Sequence, residues 1–173
     1  MKESIIEQIL LHLYDSIDYG FSYQAKKKLY LDKFFNNKKI LKGIDGLKKS
    51  NFITQKENSN GYMSISLSDK GMLRAINYSF RRLANKKEKW DGKWRMIFFN
   101  IPENRRKGRD ALRYRLKTAG FYKLQESIFI FPYECEKEIR DFVRLFKLEK
   151  HVRFGLLDFV DDGQHIAEWF KLK

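Results

Sequence analysis

The chain of 173 residues has one cysteine, three histidines and two prolines. A single thiol, Cys135, closes no intrachain disulfide, and with His12, His151 and His165 scattered along the chain it makes no recognisable zinc pattern. No apolar run reaches the roughly 20 residues that a membrane-crossing helix needs. Glu3 and Glu7 interrupt the apolar start, which is not the plan of a secretory leader. There is no phosphate-cradling glycine loop and no nucleophile motif. The expectation is a soluble, cytoplasmic protein in a reducing compartment, with no metal, no cofactor and no membrane partner.

What is abundant is aromatic surface and positive charge. Apolar residues make up 43% of the chain, with 15 Phe and 9 Tyr, enough for real cores. The formal charge is +14, which attracts polyanions: DNA, RNA or an acidic membrane face. The bland alternative is a solvated basic surface. The surplus is uneven: residues 1–89 carry 18 Lys and Arg against 9 Asp and Glu, and residues 90–173 carry 18 against 13. The first half is the better polyanion binder.

Ile5, Ile6, Ile9, Leu10, Leu13 and Ile17 fall at helical spacing over 4–17, and Gly20 ends that run. A second helix is expected over 22–35. Asn36 or Asn37 then caps a third, over 38–50. Its apolar stripe is Ile40, Leu41, Ile44 and Leu47. The opposite side carries Lys39, Lys42, Gly43, Gly46 and Lys49, with Lys38 at the start. Each helix-interior glycine costs up to ~1 kcal/mol against alanine, and close approach to a large surface would compensate. Phe52 to Glu57 and Tyr62 to Ser68 read as a hairpin around Asn58-Ser59-Asn60-Gly61, and a helix from Asp69 to Ala84 follows. Three helices, a two-stranded wing and a closing helix make a winged helix-turn-helix, whose third helix enters the major groove. Lys38, Lys39, Lys42 and Lys49 are the candidates on that helix, and Lys56 and Asn60 those on the wing. Asn51 either reaches a base edge or turns the chain.

Past a charged stretch, 85–92, the pattern changes. Trp94 to Phe99 is a near-continuous apolar strand, expected at the centre of a sheet. A helix over 104–119 follows, then two strands over 121–125 and 127–131 or one bent strand, a helix over 134–147, a strand over 151–160 and a short helix over 163–171. The order β-α-β-β-α-β is the ferredoxin-like plan. The fold class is therefore α+β: a winged helix over 1–84, a linker over 85–92 and a ferredoxin-like domain over 93–173. Trp90 and Trp94 are expected to pack the domain junction. Cys135, at a helix start, is open to a lowered pKa but is more simply a passive residue.

The stretch WDGKWRMIFFNIPENRRKGRDALRYRLKTAGFYKLQESIFIFPYECEKEI resembles the central domain of PaaX-type transcriptional repressors. That domain is similar in turn to the small CRISPR-associated endonuclease of spacer adaptation, the "Cas-two" subunit. The shared features are a strand ending in a polar residue plus Ile-Pro, the Arg/Lys helix, Gly-Phe, and Leu-Gln-x-Ser-Ile-Phe, over about residues 90–160. The resemblance implies a homodimer, and in the nuclease an aspartate closing the first strand that holds a divalent metal with its symmetry mate. Here that position is Asn100, an amide that holds a cation far less well. Glu103 and Asp158 are the nearest substitutes in sequence.

The resemblance thus points to a DNA-binding transcriptional regulator, a repressor acting as a homodimer on double-stranded DNA, and not to an enzyme. The alternatives are a metal-dependent nuclease, or a non-cutting subunit of CRISPR adaptation using the secondary basic patch Arg105, Arg106, Lys107, Arg109 and Arg113. PaaX-type repressors answer to a coenzyme A thioester through a further C-terminal region. The chain stops too early for much of that region, so no small-molecule effector is carried over.

Overall fold

The computed structural model describes residues 4–16, 38–57, 63–86 and 88–172. The expected helix over 22–35, the caps Asn36 and Asn37, and the hairpin turn with Asn60 lie outside the described residues. The chain divides into two units, 1–78 and 79–173, and each is described by itself. It is a mixed α and β structure.

In the first unit, α1 spans Ile5–Asp15. Ser4 caps it, its hydroxyl accepting the Glu7 N–H at 3.2 Å. Ile9, Leu10 and Leu13 are buried on its inner face. Helix α2 spans Lys38–Lys49 and buries Ile44 and Leu47. It ends on Asn51, whose φ of 56° lies in the left-handed region. The Phe52 N–H reaches back to Leu47 O at 2.9 Å and the Asn51 N–H to Lys48 O at 3.0 Å. This pair of bonds satisfies the last carbonyls of the helix, so the Asn51 backbone serves as a helix terminator.

One expectation needs correction here. Gly43 does not belong to the outward side of α2. A Cβ on it would stand 2.9 Å from Ile9 Cδ1 and 3.3 Å from Ile5 Cγ2, so this glycine lets α2 close onto α1. Gly46 has no such neighbour among the described residues.

Strands β1 (Ile53–Glu57) and β2 (Met63–Leu67) pair antiparallel, with Ile53 opposite Leu67 and Gln55 opposite Ile65. Ile53 and Ile65 are buried beneath the hairpin. Helix α3 (Asp69–Ala84) begins at Ser68. That hydroxyl accepts the Gly71 N–H at 3.0 Å and donates to Asn51 O at 2.7 Å, tying the start of α3 to the end of α2. Gly71 is required for the same junction, because a Cβ there would fall 1.9 Å from the Phe52 carbonyl oxygen.

The second unit takes the rest of α3 and a four-stranded antiparallel sheet of order β4-β5-β3-β6. The elements run β3 (Trp94–Phe99), a single 3-10 turn (Glu103–Arg105), α4 (Arg106–Thr118), β4 (Tyr122–Gln125), β5 (Ile128–Phe131), α5 (Glu136–Leu145), β6 (Val152–Leu157) and α6 (Gly163–Trp169). The apolar strand β3 is internal, flanked by β5 and β6. Its side chains alternate. Phe99 lies under the Arg113 guanidinium of α4, at 5.8 Å. Trp94, on the opposite face, packs with Ile130 and with Ile166 of α6. Trp90 and Trp94 stack on one another at 4.7 Å and join this cluster within the second unit.

Arg95 is the unusual residue of β3, a guanidinium only 3% exposed. It takes both Asp91 carboxylate oxygens at 2.7 Å, the Lys93 and Pro132 carbonyls at 3.0 and 2.9 Å, and Glu134. The Arg95 bond holds the Asp91 carboxyl far below the ordinary carboxylate range. Cys135, beside this cluster, is buried. Desolvation first, then Glu138, pushes its thiol well above the usual value, the reverse of an activated thiolate at a helix start.

Gly71→Ala should lower stability by about 1–3 kcal/mol although alanine favours helix, because the backbone oxygen of Phe52 has nowhere to go; the shift in the urea midpoint measures it. Asp91 makes stability pH-dependent. Its carboxyl titrates near pH 3.9 when unfolded and much lower when folded, so its contribution is complete above about pH 5 and is lost as pH falls through the folded value. Asp91→Asn should be less stable than the parent at neutral pH and should show a shallower acid limb in melts taken from pH 7 to pH 2.

Candidate nucleic-acid interface

The positive charge of α2 lies on one side for a geometric reason. At 3.6 residues per turn, Ile40, Ile44 and Leu47 point to the core, and Lys38, Lys42 and Lys49 fall on the opposite side with Lys39 at its border. All four lysines are exposed. Asp45 is exposed too and is the acid on this helix, while Lys48 turns to Gln55 Oε1 of β1 at 3.2 Å. The hairpin adds a second polar surface. Lys56 is exposed and opposite Ser64, whose hydroxyl donates to Lys56 O at 3.0 Å. Thr54 and Ser66 face each other across the strands, hydroxyls 2.7 Å apart. These hydroxyls are neutral donors beside the lysine side. Their signal in the sequence is the alternation of Ser64 and Ser66 with Ile65, which marks one buried face and says nothing of a ligand. Asn60 lies outside the described residues.

The second basic group is arranged differently. Arg109 donates to Ile101 O at 3.2 Å and to Glu103 at 2.8 Å. Arg106 meets Glu103 at 3.5 Å and Asp110 at 3.3 Å. Arg105 donates to Lys147 O, and Arg113 to Ser127 Oγ at 3.1 Å. Four of the five cations in this patch are therefore bonded within the unit, and Lys107 is exposed. The arginines fasten α4 to the loop after β3, to the β4–β5 turn and to the end of α5. Planar guanidinium groups suit carbonyl and carboxylate partners of this kind.

Asn100 follows β3 and is exposed, its N–H donating to His151 O at 3.0 Å. It borders a groove of about 650 Å³ with Phe98, Glu126, Lys150, His151 and Arg153. The one carboxylate lining this groove, Glu126, is bonded to Lys123, which holds it below the ordinary carboxylate range. Asp158 belongs to the other end of the sheet. The register pairs Phe99 with Val152 but Trp94 with Leu157, so Asp158 stands ~23 Å along the strands from Asn100, where it bonds Lys93 at 2.6 Å. Glu103 is held by Arg106 and Arg109. Among the described residues no group of three or more His, Cys, Asp or Glu is placed to hold a metal ion, and no helix is long and apolar enough to cross a membrane.

Residues 87–165 match the family model of the PaaX protein central Cas2-like domain. Over that stretch the second unit is similar to the central domains of PaaX-type proteins, a family of regulators. No curated protein and no solved structure matches the chain.

Arg109→Ala should cost about 1–3 kcal/mol in urea unfolding, since it leaves the Ile101 carbonyl without this donor and removes one of the two arginines on Glu103. Lys107→Ala, on the same helix, should fall within about 0.5 kcal/mol of the parent.

Proposed function

We propose that this protein is a DNA-binding transcriptional regulator, a repressor that grips double-stranded DNA with the lysine side of α2. The observation that carries the reading is the exposure of Lys38, Lys39, Lys42 and Lys49 on one side of a helix that leads directly into an antiparallel hairpin bearing Lys56. That arrangement is what a winged helix-turn-helix needs, with α2 as the helix in the major groove and β1–β2 as the wing on the flanking backbone. The winged helix takes residues 1–84, a linker 85–92 joins it to residues 93–173, and this last domain follows the ferredoxin-like plan and couples two protomers. A homodimer then presents two copies of α2 to half-sites about one helical turn apart. The setting is the cytoplasm.

The nuclease reading has less behind it. Divalent-metal cleavage needs a dense set of oxygen ligands with net negative charge. Asn100 is neutral, and its groove is rimmed by Lys150 and Arg153. The non-cutting CRISPR reading rests on the basic patch of α4, and most of that patch is bonded internally.

The test is genome-wide binding followed by gel shift on the recovered duplex, with and without magnesium. Shifted, intact DNA in both conditions is expected, and magnesium-dependent fragments would overturn the assignment. Lysines that meet phosphates release counterions, so Lys42→Ala and Lys49→Ala should each reduce the slope of log K against log salt by about 0.9. Slopes equal to the parent's would remove α2 from the interface.

A further inference from the structure

The two glycines of α2 have different explanations. Gly43 is accounted for inside the first unit, since a Cβ there would collide with Ile9 on α1. Gly46 is not: a Cβ on it would meet nothing within 4 Å among the described residues. Its φ is not in the left-handed region, where glycine would be needed for conformation alone. Its carbonyl accepts the Ser50 N–H at 3.0 Å, so it lies in regular helix ahead of the terminating turn. Among the described residues a side chain at this position would have room, and it would favour the helix.

The surroundings of Gly46 indicate what the missing side chain makes way for. One turn before it on the same side stands Lys42, and one turn after it stands Lys49; both are exposed. Lys39 lies two turns before. The bare backbone of Gly46 is thus the low point of a row whose high points are ammonium groups.

We infer that Gly46 is the point of closest approach between α2 and the duplex, where the sugar–phosphate strand seats against the helix backbone while Lys42 and Lys49 hold phosphates on either side. This rests on the reading of α2 as the DNA-facing helix. The occupant is a polyanion because the row is cationic, and a broad, rigid one because the cleared space is shallow and open. Double-stranded DNA meets both conditions. The role of Gly46 is steric, so it sets how deeply α2 enters and which base edges its neighbours reach.

The probe is the duplex enriched by the full chain from a randomised 20-base-pair pool, with affinity read by fluorescence anisotropy over a salt series. Gly46→Ala and Gly46→Leu should melt at or above the parent temperature, because both favour helix. Gly46→Leu should weaken binding by roughly tenfold or more, with Gly46→Ala between it and the parent. The salt slope should stay close to the parent's, since no charge is lost. Lys42→Ala should weaken binding and flatten the slope. If Gly46→Leu binds within twofold of the parent while Lys42→Ala loses affinity, the steric role of Gly46 is wrong and the duplex assignment stands. If the pool yields no enriched duplex, or the lysine variant binds like the parent, the assignment of α2 fails and the role of Gly46 with it.

Discussion

The second unit is organised around a buried cation. A guanidinium taken out of water is strongly unfavourable unless every face of it is paired. Arg95 meets most of that demand through its two Nη groups, with partners from three places in the chain: Asp91 and Lys93 before β3, Pro132 after β5, and Glu134 ahead of α5; its buried Nε has no partner among the described residues. The constraint runs outward from there. The exit of β5 and the entry to α5 are held against the start of β3. With that end fixed, the alternation along β3 places Phe99 toward α4 and Asn100 at the far rim beside His151. Cys135 is sealed next to the same cluster, which is why its thiol is buried and inert.

Positive charge in this chain is arranged in two ways, separated by residue type as much as by place. The arginines of α4 hold carbonyls and carboxylates of their own unit, a task for a flat group with several directed donors. The lysines of α2 are exposed on a helix whose opposite side is core. An ammonium on a flexible stem suits a moving, repetitive partner such as a phosphate backbone. The formal charge of +14 says nothing of this division, since a bonded arginine and an exposed lysine count alike. Only the contacts show that the region with seven cations against Asp110 is the less available of the two.

Local pattern made much of the fold legible. The third-helix expectation of 38–50 meets α2 at Lys38–Lys49, the closing helix meets α3 at Asp69–Ala84, and the β-α-β-β-α-β order appears element by element. Such features depend on period and turn chemistry within a few residues. The 3-10 turn after Pro102 delays α4 to Arg106, and the turn at Glu126 and Ser127 divides β4 from β5. What stayed hidden depends on partners far along the chain. Gly43 reads as outward by its neighbours but faces Ile9, and Trp90 and Trp94 join the α6 cluster. Arg95 reads as an interruption of an apolar strand, although Asp91 four residues earlier hinted at its pairing.

The groove at Asn100 disfavours a divalent cation for more reasons than the neutral amide. Restoring a carboxylate at position 100 would put one negative charge beside Lys150, His151 and Arg153, with Glu126 already bonded to Lys123. A divalent ion there would meet the repulsion of Lys150 and Arg153 before it met enough oxygen ligands to replace its water. The other acids cannot move in to help. Glu103 secures the arginines of α4, and Asp158 is tied to Lys93 at the opposite end of the sheet. The neutral amide, the bonded Glu126 and the nearby Lys150 and Arg153 thus weigh together against a cation in this groove.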